Sequence, residues 1–437
     1  MPADITGNDV ISRTLTVYND GFALVREERK LPSFPEDGVL RYLDVPERIE
    51  TESIVIEGVG IRQLNYEYDL VDKNKLLEKY IGLELSVADR KSGEIRRFRL
   101  LGAQNGLVME NAETGEIVLD PEGEIRLPGL PGGLILRPAL VLHAFPAEGS
   151  GGSVRVSYLT GGLSWETDYV ISLPAETGGG EDFRLTGWMT LNNESGMAFD
   201  DAKLRMVAGT VNRADRLEAR HMLYKASPAG MMPEHESFAD YHLYTVPFNV
   251  TVKDRQQKQI KLIETEGARG KIVNEAGYHK QKPDVFLEFR NSAENGLGFP
   301  LPQGRVKLYR QAADRSPEFI GEDRISHTAK DGKVRLHTGQ AFDITVDSGL
   351  ADSSKTGRYE VESYVYEIRN AKGTDAEILI RHSVHDRHWE LVDSNFPAER
   401  RFDEVLIPAK AKAGEKTVVQ FTIRFDRSET VPQEDGR

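Results

Sequence analysis

Apolar residues recur at every second position along most of this chain, and that period restricts its fold more than any other feature. Alternation by two places successive side chains on opposite faces of a strand, so each such segment has one face to bury and one to leave in water. In TVVQFTIRF, Val419, Phe421, Ile423 and Phe425 alternate with Gln420, Thr422 and Arg424. DVFLEF repeats the pattern with Val285, Leu287 and Phe289, and LRMVA repeats it with Leu204 and Met206. TLTVY and FALVREE flank Asn19-Asp20-Gly21, and Asp-Gly between alternating runs signals a tight hairpin. One segment has helical spacing instead: Asp72 as N-cap, then Leu76, Leu77, Tyr80 and Ile81, with Gly82 as a stop. The fold class expected is mainly β, with several sandwich- or barrel-like units and one short helix near residues 72–81.

A chain of 437 residues exceeds what a single core usually serves. Turn signals at Ser92-Gly93, Asn105-Gly106, Thr114-Gly115 and Glu122-Gly123 mark 82–130 as a small barrel, inserted into an amino-terminal β region of 1–81 with 131–148. The Gly/Ser stretch at 149–153 opens a central sandwich domain reaching 356, and 357–427 reads as a carboxy-terminal sandwich before a disordered tail at 428–437. Within the central unit, periodicity disappears from Asn212 to Asp240 and resumes at Tyr241. A connection of that length, carrying Met222, Met231 and Met232, is expected to be a mobile surface loop, or else a flap that contacts a partner.

Seventy acids against 56 bases give a net charge of -14, which disfavours nucleic acid as a partner because phosphate neutralisation needs a basic face. The chain holds no cysteine, so disulfides, thiolate metal sites and cysteine nucleophiles are excluded together. No run approaches the roughly eighteen apolar residues of a membrane helix. The start, MPADITGNDVISRTL, carries no apolar leader core, and the chain reads as soluble or as a secreted protein without its leader.

The stretch YLTGGLSWETDYVISL, 158–173, combines two glycines with the carboxylates Glu166 and Asp168. Taken as a two-residue hairpin loop, Gly161-Gly162 sets Tyr158 opposite Trp165, Val156 opposite Thr167 and Val154 opposite Tyr169, all on the core face with Ile171 and Leu173. The outer face then pairs Arg155 with Asp168 and Ser157 with Glu166, as a surface contact rather than a catalytic dyad.

The same stretch, followed by LTGWMTLNNESGMAFDDAKLRMVAGTVNR, resembles a bacterial family built around a domain of unknown function, some members of which are labelled mucoidy inhibitor A-like. The likeness continues through YHLYTVPFNVTVKDRQQKQIKLI, LEFRNSAENGLGFPLPQGRVKLYR and FIGEDRISHTAKDGKVRL, over residues 151–427. Residues 14–145, with LLEKYIG at 76–82, are similar to the amino-terminal half of shorter members. Members typically carry a leader peptide, so the resemblance implies a periplasmic or secreted protein; the present chain lacks that leader, and a cytoplasmic location is the alternative. The label denotes a capsule or slime phenotype and supplies no catalytic residues.

Three segments carry residues capable of chemistry. HSVHDRHW spaces His382, His385 and His388 by three, a weak metal candidate to which Asp386 would add an oxygen. Continued strand alternation, however, points His382 and Val384 inward and His385 outward, which separates the rings. GEDRISHT brings Glu322, Asp323 and His327 together as an acid/base group or cation site, against a turn whose acids bond backbone N–H groups. NSAENGLGFPLPQGRVKLY fixes a turn-rich crossing in which Phe299 is expected to be exposed, either against a ligand or as part of a capped sheet edge. No catalytic residue and no cofactor is assigned from these patterns. The leading expectation is a non-enzymatic, extracytoplasmic structural or binding protein of the bacterial cell envelope, with an envelope protein or polysaccharide as partner. Such a β protein would bind a polypeptide by strand addition at a free edge. The alternatives are a metal-dependent hydrolase of envelope polysaccharide or peptide, and an adaptor docking through 212–240.

Overall fold

The computed structural model describes residues 2–68, 73–90, 92–104, 106–129, 137–147, 152–175, 181–209, 211, 234–238 and 241–428. Among them the fold is mainly β, with one α-helix, Lys73–Lys79. The Asn19-Asp20-Gly21 hairpin forms, joining Val10–Tyr18 to Phe22–Lys30 with Val17 opposite Ala23. Alternation also places the expected residues in the core: Val419, Phe421, Ile423 and Phe425 are all buried, as are Leu204, Met206, Leu287 and Phe289.

Two large sheets face each other. One has seven strands in the order Glu234–Phe238, Tyr241–Val252, Phe199–Ala208, Val10–Tyr18, Phe22–Lys30, Ser153–Gly161, Ile49–Glu57. The other has ten, and its centre is Gly304–Gln311, Leu163–Leu173, Glu181–Asn193 and Gln256–Gly277. The expected boundary at residue 149 therefore runs through a sheet, since Ser153–Gly161 pairs with Phe22–Lys30 along its whole length. The physical reason is a shared core: Leu15, Val25 and Tyr42 cluster with Tyr158, Trp165 and Met206. Against this core lies a four-stranded sheet in which Ala139–Pro146 pairs with both Val39–Leu43 and Val59–Glu67.

Residues 84–126 form a separate five-stranded sheet over a cluster of Leu85, Val87, Phe98, Leu100 and Met109, closed by Leu77 of the helix and Tyr80 just after it. Among the described residues no ladder joins its end strands, Ile117–Leu119 and Glu124–Arg126, so it is an open sheet covered by a helix where a closed barrel was expected. The helix is shorter than its sequence pattern, and Ile81, expected on its apolar face, is exposed. Asp72, its expected cap, lies outside the described residues.

The carboxy-terminal unit starts earlier than expected. Ile344–Thr356 and Tyr359–Asn370 are one antiparallel hairpin turning at Gly357, so a boundary at 357 would cut twelve residue pairs. Its sheet packs on the end of the ten-stranded sheet, where Ile378, Ile380, Val405 and Ile407 meet Tyr366, Ile368, Val419 and Phe421. The strand Gln256–Gly277 contributes to both cores, with Leu262 and Ile263 in the first and Ala276 in the second. The strand pattern also resumes before Tyr241, because Glu234–Phe238 pairs with Tyr241–Val252; the rest of the 212–240 segment lies outside the described residues, as do 429–437.

Candidate functional site

The glycine pair at 161–162 is not a hairpin. Ser153–Gly161 belongs to the seven-stranded sheet and Leu163–Leu173 to the ten-stranded one, so the chain passes from one sheet to the other at this corner. Gly162 has φ of 83°, and a Cβ there would lie 2.7 Å from the Glu194 carbonyl oxygen. Its amide donates to the Gly21 carbonyl, and its own carbonyl accepts from Glu194 N. Only glycine supplies both the conformation and the close approach. The expected inward set survives the change of partner: Val154, Val156, Tyr158, Trp165, Thr167, Tyr169, Ile171 and Leu173 are all buried. A hairpin and a sheet-to-sheet corner give the same phase, so alternation alone could not separate them. Trp165 now bridges the layers, its indole N–H donating to the Val207 carbonyl at 3.1 Å and its ring meeting Tyr244 edge-on at 6.2 Å.

The outer-face pairs change accordingly. Arg155 binds Glu57 at 3.0 Å instead of Asp168. Asp168 receives Arg305 from the parallel neighbour Gly304–Gln311 at 3.2 Å and the Thr190 hydroxyl at 2.9 Å.

The three histidines of HSVHDRHW diverge. The strand Ala376–Ser383 carries His382 inward with Ile378 and Ile380, while His385 and His388 are exposed. His382 Nδ1 lies 2.9 Å from the Tyr366 hydroxyl, within a ring box of Tyr278, Tyr364 and Phe421. Burial disfavours its charged form, with help from His279 and His385, and lowers its pKa to about 4. Asp386 is engaged elsewhere: it pairs with Arg427 and accepts the His388 amide. Among the described residues no group of three or more His, Asp or Glu side chains is arranged to hold a metal ion.

Glu322 and Asp323 are neighbours on the strand Pro317–Ile325, not in a turn, and they point to opposite faces. Asp323 accepts from the Arg324 amide at 2.8 Å and from the His337 amide at 2.6 Å. The second bond reaches Lys333–Gln340, a strand that shares no ladder with Pro317–Ile325. Asp323 thus substitutes for missing backbone pairing, as the backbone-bonding reading of this motif requires. His327 Nδ1 accepts the Gln303 amide at 3.1 Å; partial burial, with His242 nearby, lowers its pKa.

The crossing at 291–304 is held from below. Asn291 is fully buried, donating to the carbonyls of Phe299 and Ala329 and accepting the Gly298 amide, while Tyr169 and Tyr244 donate to the carbonyls of Pro302 and Pro300. Phe299, expected to be exposed, is half-buried against the first core.

The sequence reading missed a buried charge network. Glu27 lies between Arg13, 2.5 Å away, and Arg29, whose Nε donates at 2.9 Å; the Tyr42 hydroxyl adds a bond at 2.8 Å. Arg29 also donates to the Leu43 and Asp44 carbonyls and stacks on Tyr42, 3.8 Å from the ring centre. Burial alone would raise the Glu27 pKa, but the two guanidiniums and the Tyr42 hydroxyl outweigh it and the net shift is downward. Beside them the buried Tyr158 hydroxyl has no hydrogen-bond partner among the described residues. The signal was present: in FALVREERK the inward phase of Ala23 and Val25 continues through Glu27 and Arg29.

Two concave sites stand out. A groove of about 380 Å³ on the outer face of the ten-stranded sheet has Val273, Leu379 and Leu406 in its lining, beside paired charges such as Lys271 with Glu377. A polar cavity of about 630 Å³ opens at the end of the sandwich near the Gly161–Gly162 corner, with Glu47, Arg48, Asn192, Glu194, Arg255 and Gln257 in its wall. The chain matches no family model and no curated protein.

Proposed function

We propose that this chain is a non-enzymatic binding protein of the bacterial cell envelope, working outside the cytoplasm. The observation that carries the binding half is the employment of the reactive side chains: His382 is hydrogen-bonded inside an aromatic box and Asp323 staples two strands. His382 is thereby held apart from the exposed His385 and His388, and Asp323 is committed to two backbone amides, whereas the polar cavity at the sandwich end offers amides, carboxylates and guanidiniums to a ligand. The envelope half rests on the family resemblance of residues 151–427. Fractionation of native cells, with mass spectrometry of what co-purifies, tests both halves. The expected result is an extracytoplasmic fraction with an envelope protein or polysaccharide attached; a cytoplasmic chain that purifies alone would overturn the proposal.

A further inference from the structure

Of the three tryptophans in the chain, Trp165 and Trp389 are buried in the two cores. Trp188 differs. On the strand Glu181–Asn193 the core phase is Phe183, Leu185, Met189 and Leu191, and Trp188, Thr190 and Asn192 occupy the opposite, outer phase. Their cross-strand neighbours on that face are in register: Asp168, Glu166 and Ser164 on one side, Lys261, Gln259 and Gln257 on the other. The result is a three-strand strip about 13 Å long, the four steps from Trp188 to Asn192 at strand rise, made of one aromatic ring, hydroxyls, amides and carboxylates.

The strip is pre-organised, with Thr190 buried at its centre and Trp188 half-buried beside it. Arg305 and Thr190 fix the two oxygens of Asp168, and Gln259 donates to Thr190 at 3.4 Å. Glu166, Gln257, Gln259 and Lys261 are exposed. The lysine lies 5.6 Å from the Trp188 ring centre, and a register shift in the ladder beside Gly187 and Trp188 marks a bulge, a device that re-aims side chains. At its far end Asn192 and Gln257 also belong to the polar cavity, so strip and cavity are one continuous track. Three of its cations are already paired, Arg305 with Asp168, Lys261 with Glu264 and Arg255 with Asp254, and the fourth, Arg48, shares the cavity wall with the carboxylates of Glu47 and Glu194. A charged polymer would have to displace those partners. A neutral, polyhydroxylated chain would stack a ring face on Trp188 and exchange hydrogen bonds with the amides and carboxylates.

We infer that this track, from Trp188 to the cavity of Asn192 and Gln257, is a binding site for a neutral oligosaccharide. The inference deepens the binding reading but does not depend on compartment. Its test is calorimetric titration of the purified full chain with neutral β-linked and N-acetylated hexasaccharides, run beside Trp188→Ala and Gln257→Ala. The expected result is saturable binding with quenching of indole fluorescence, weakened about tenfold or more in Trp188→Ala. Gln257 is exposed, so Gln257→Ala should keep the native melting temperature and still weaken binding. No binding by any probe, or binding that both variants retain unchanged, would overturn the assignment. Neither result would alter the fractionation and co-purification outcome, so the two proposals fail separately. Tighter binding by an acidic peptide than by any sugar would also overturn it.

Discussion

Two sets of Arg–Glu contacts in this molecule use the same chemistry in opposite surroundings. In the first core Glu27 sits between Arg13 and Arg29 with side-chain exposures of 0%, 4% and 0%. On the outer face of the ten-stranded sheet an alternating ladder runs Lys333, Glu288, Arg335, Glu275, Arg381, Glu404, Arg401, Glu399 across six strands. Its arginines are about one third to one half exposed, and the Arg335–Glu288 contact is an ion pair without hydrogen-bond alignment. The buried set fixes geometry: remove one member and charges remain with no water to solvate them. The outer set is partly exposed, with Glu275, Glu288 and Glu404 at 14%, 17% and 14%, and it adds smaller, screened increments, although it spans the seam where Gln256–Gly277 passes from one core to the other.

That contrast can be broken most directly at Glu27. We predict that Glu27→Gln, which leaves two buried guanidiniums without a counter-charge, costs about 3–5 kcal/mol in denaturant unfolding; a loss below 1 kcal/mol would mean that water reaches the network. Next in size is the neutral buried group, His382. Between pH 6.5 and about 4 the unfolded chain holds a proton that folded His382 refuses, so stability falls as pH falls through that window, by on the order of 3 kcal/mol at full extent. His382→Phe should flatten the slope there, and an unchanged slope would assign it to another group. Glu275→Gln should cost about 1 kcal/mol or less, and the cost should shrink in high salt; a salt-independent loss of several kcal/mol would place the ladder with the buried set. Smallest is Tyr158→Phe, which removes an unsatisfied buried hydroxyl and should leave the melting temperature equal or higher. A clear drop there would show that the hydroxyl has a partner.

The sequence made side-chain phase legible and left strand partners open. From Val154 to Leu173 eight inward residues were identified, with Thr160 and Leu163 beside the corner missed, yet the strands join different sheets, because a hairpin and a corner share one alternation. Parallel neighbours such as Leu163–Leu173 with Gly304–Gln311 are separated by more than a hundred residues and leave no local mark. The histidine divergence followed from phase, whereas the partners of Asp323 did not, since its bond to the His337 amide depends on how two unladdered strands meet. Trp188 and Glu27 escaped notice for mirror-image reasons. Each is a residue type out of place in its phase, an aromatic on the polar side and a carboxylate on the apolar one.

The central claim is that the reactive-looking side chains hold the fold together while binding belongs to the outer face. Metal content per purified chain tests it most directly, because the competing hydrolase needs an ion at His382, His385 and His388 or at Glu322, Asp323 and His327. The account predicts no stoichiometric transition metal, and unchanged metal content when His385 and His388 are replaced by alanine. One tightly held zinc per chain, lost in that double variant, would contradict it.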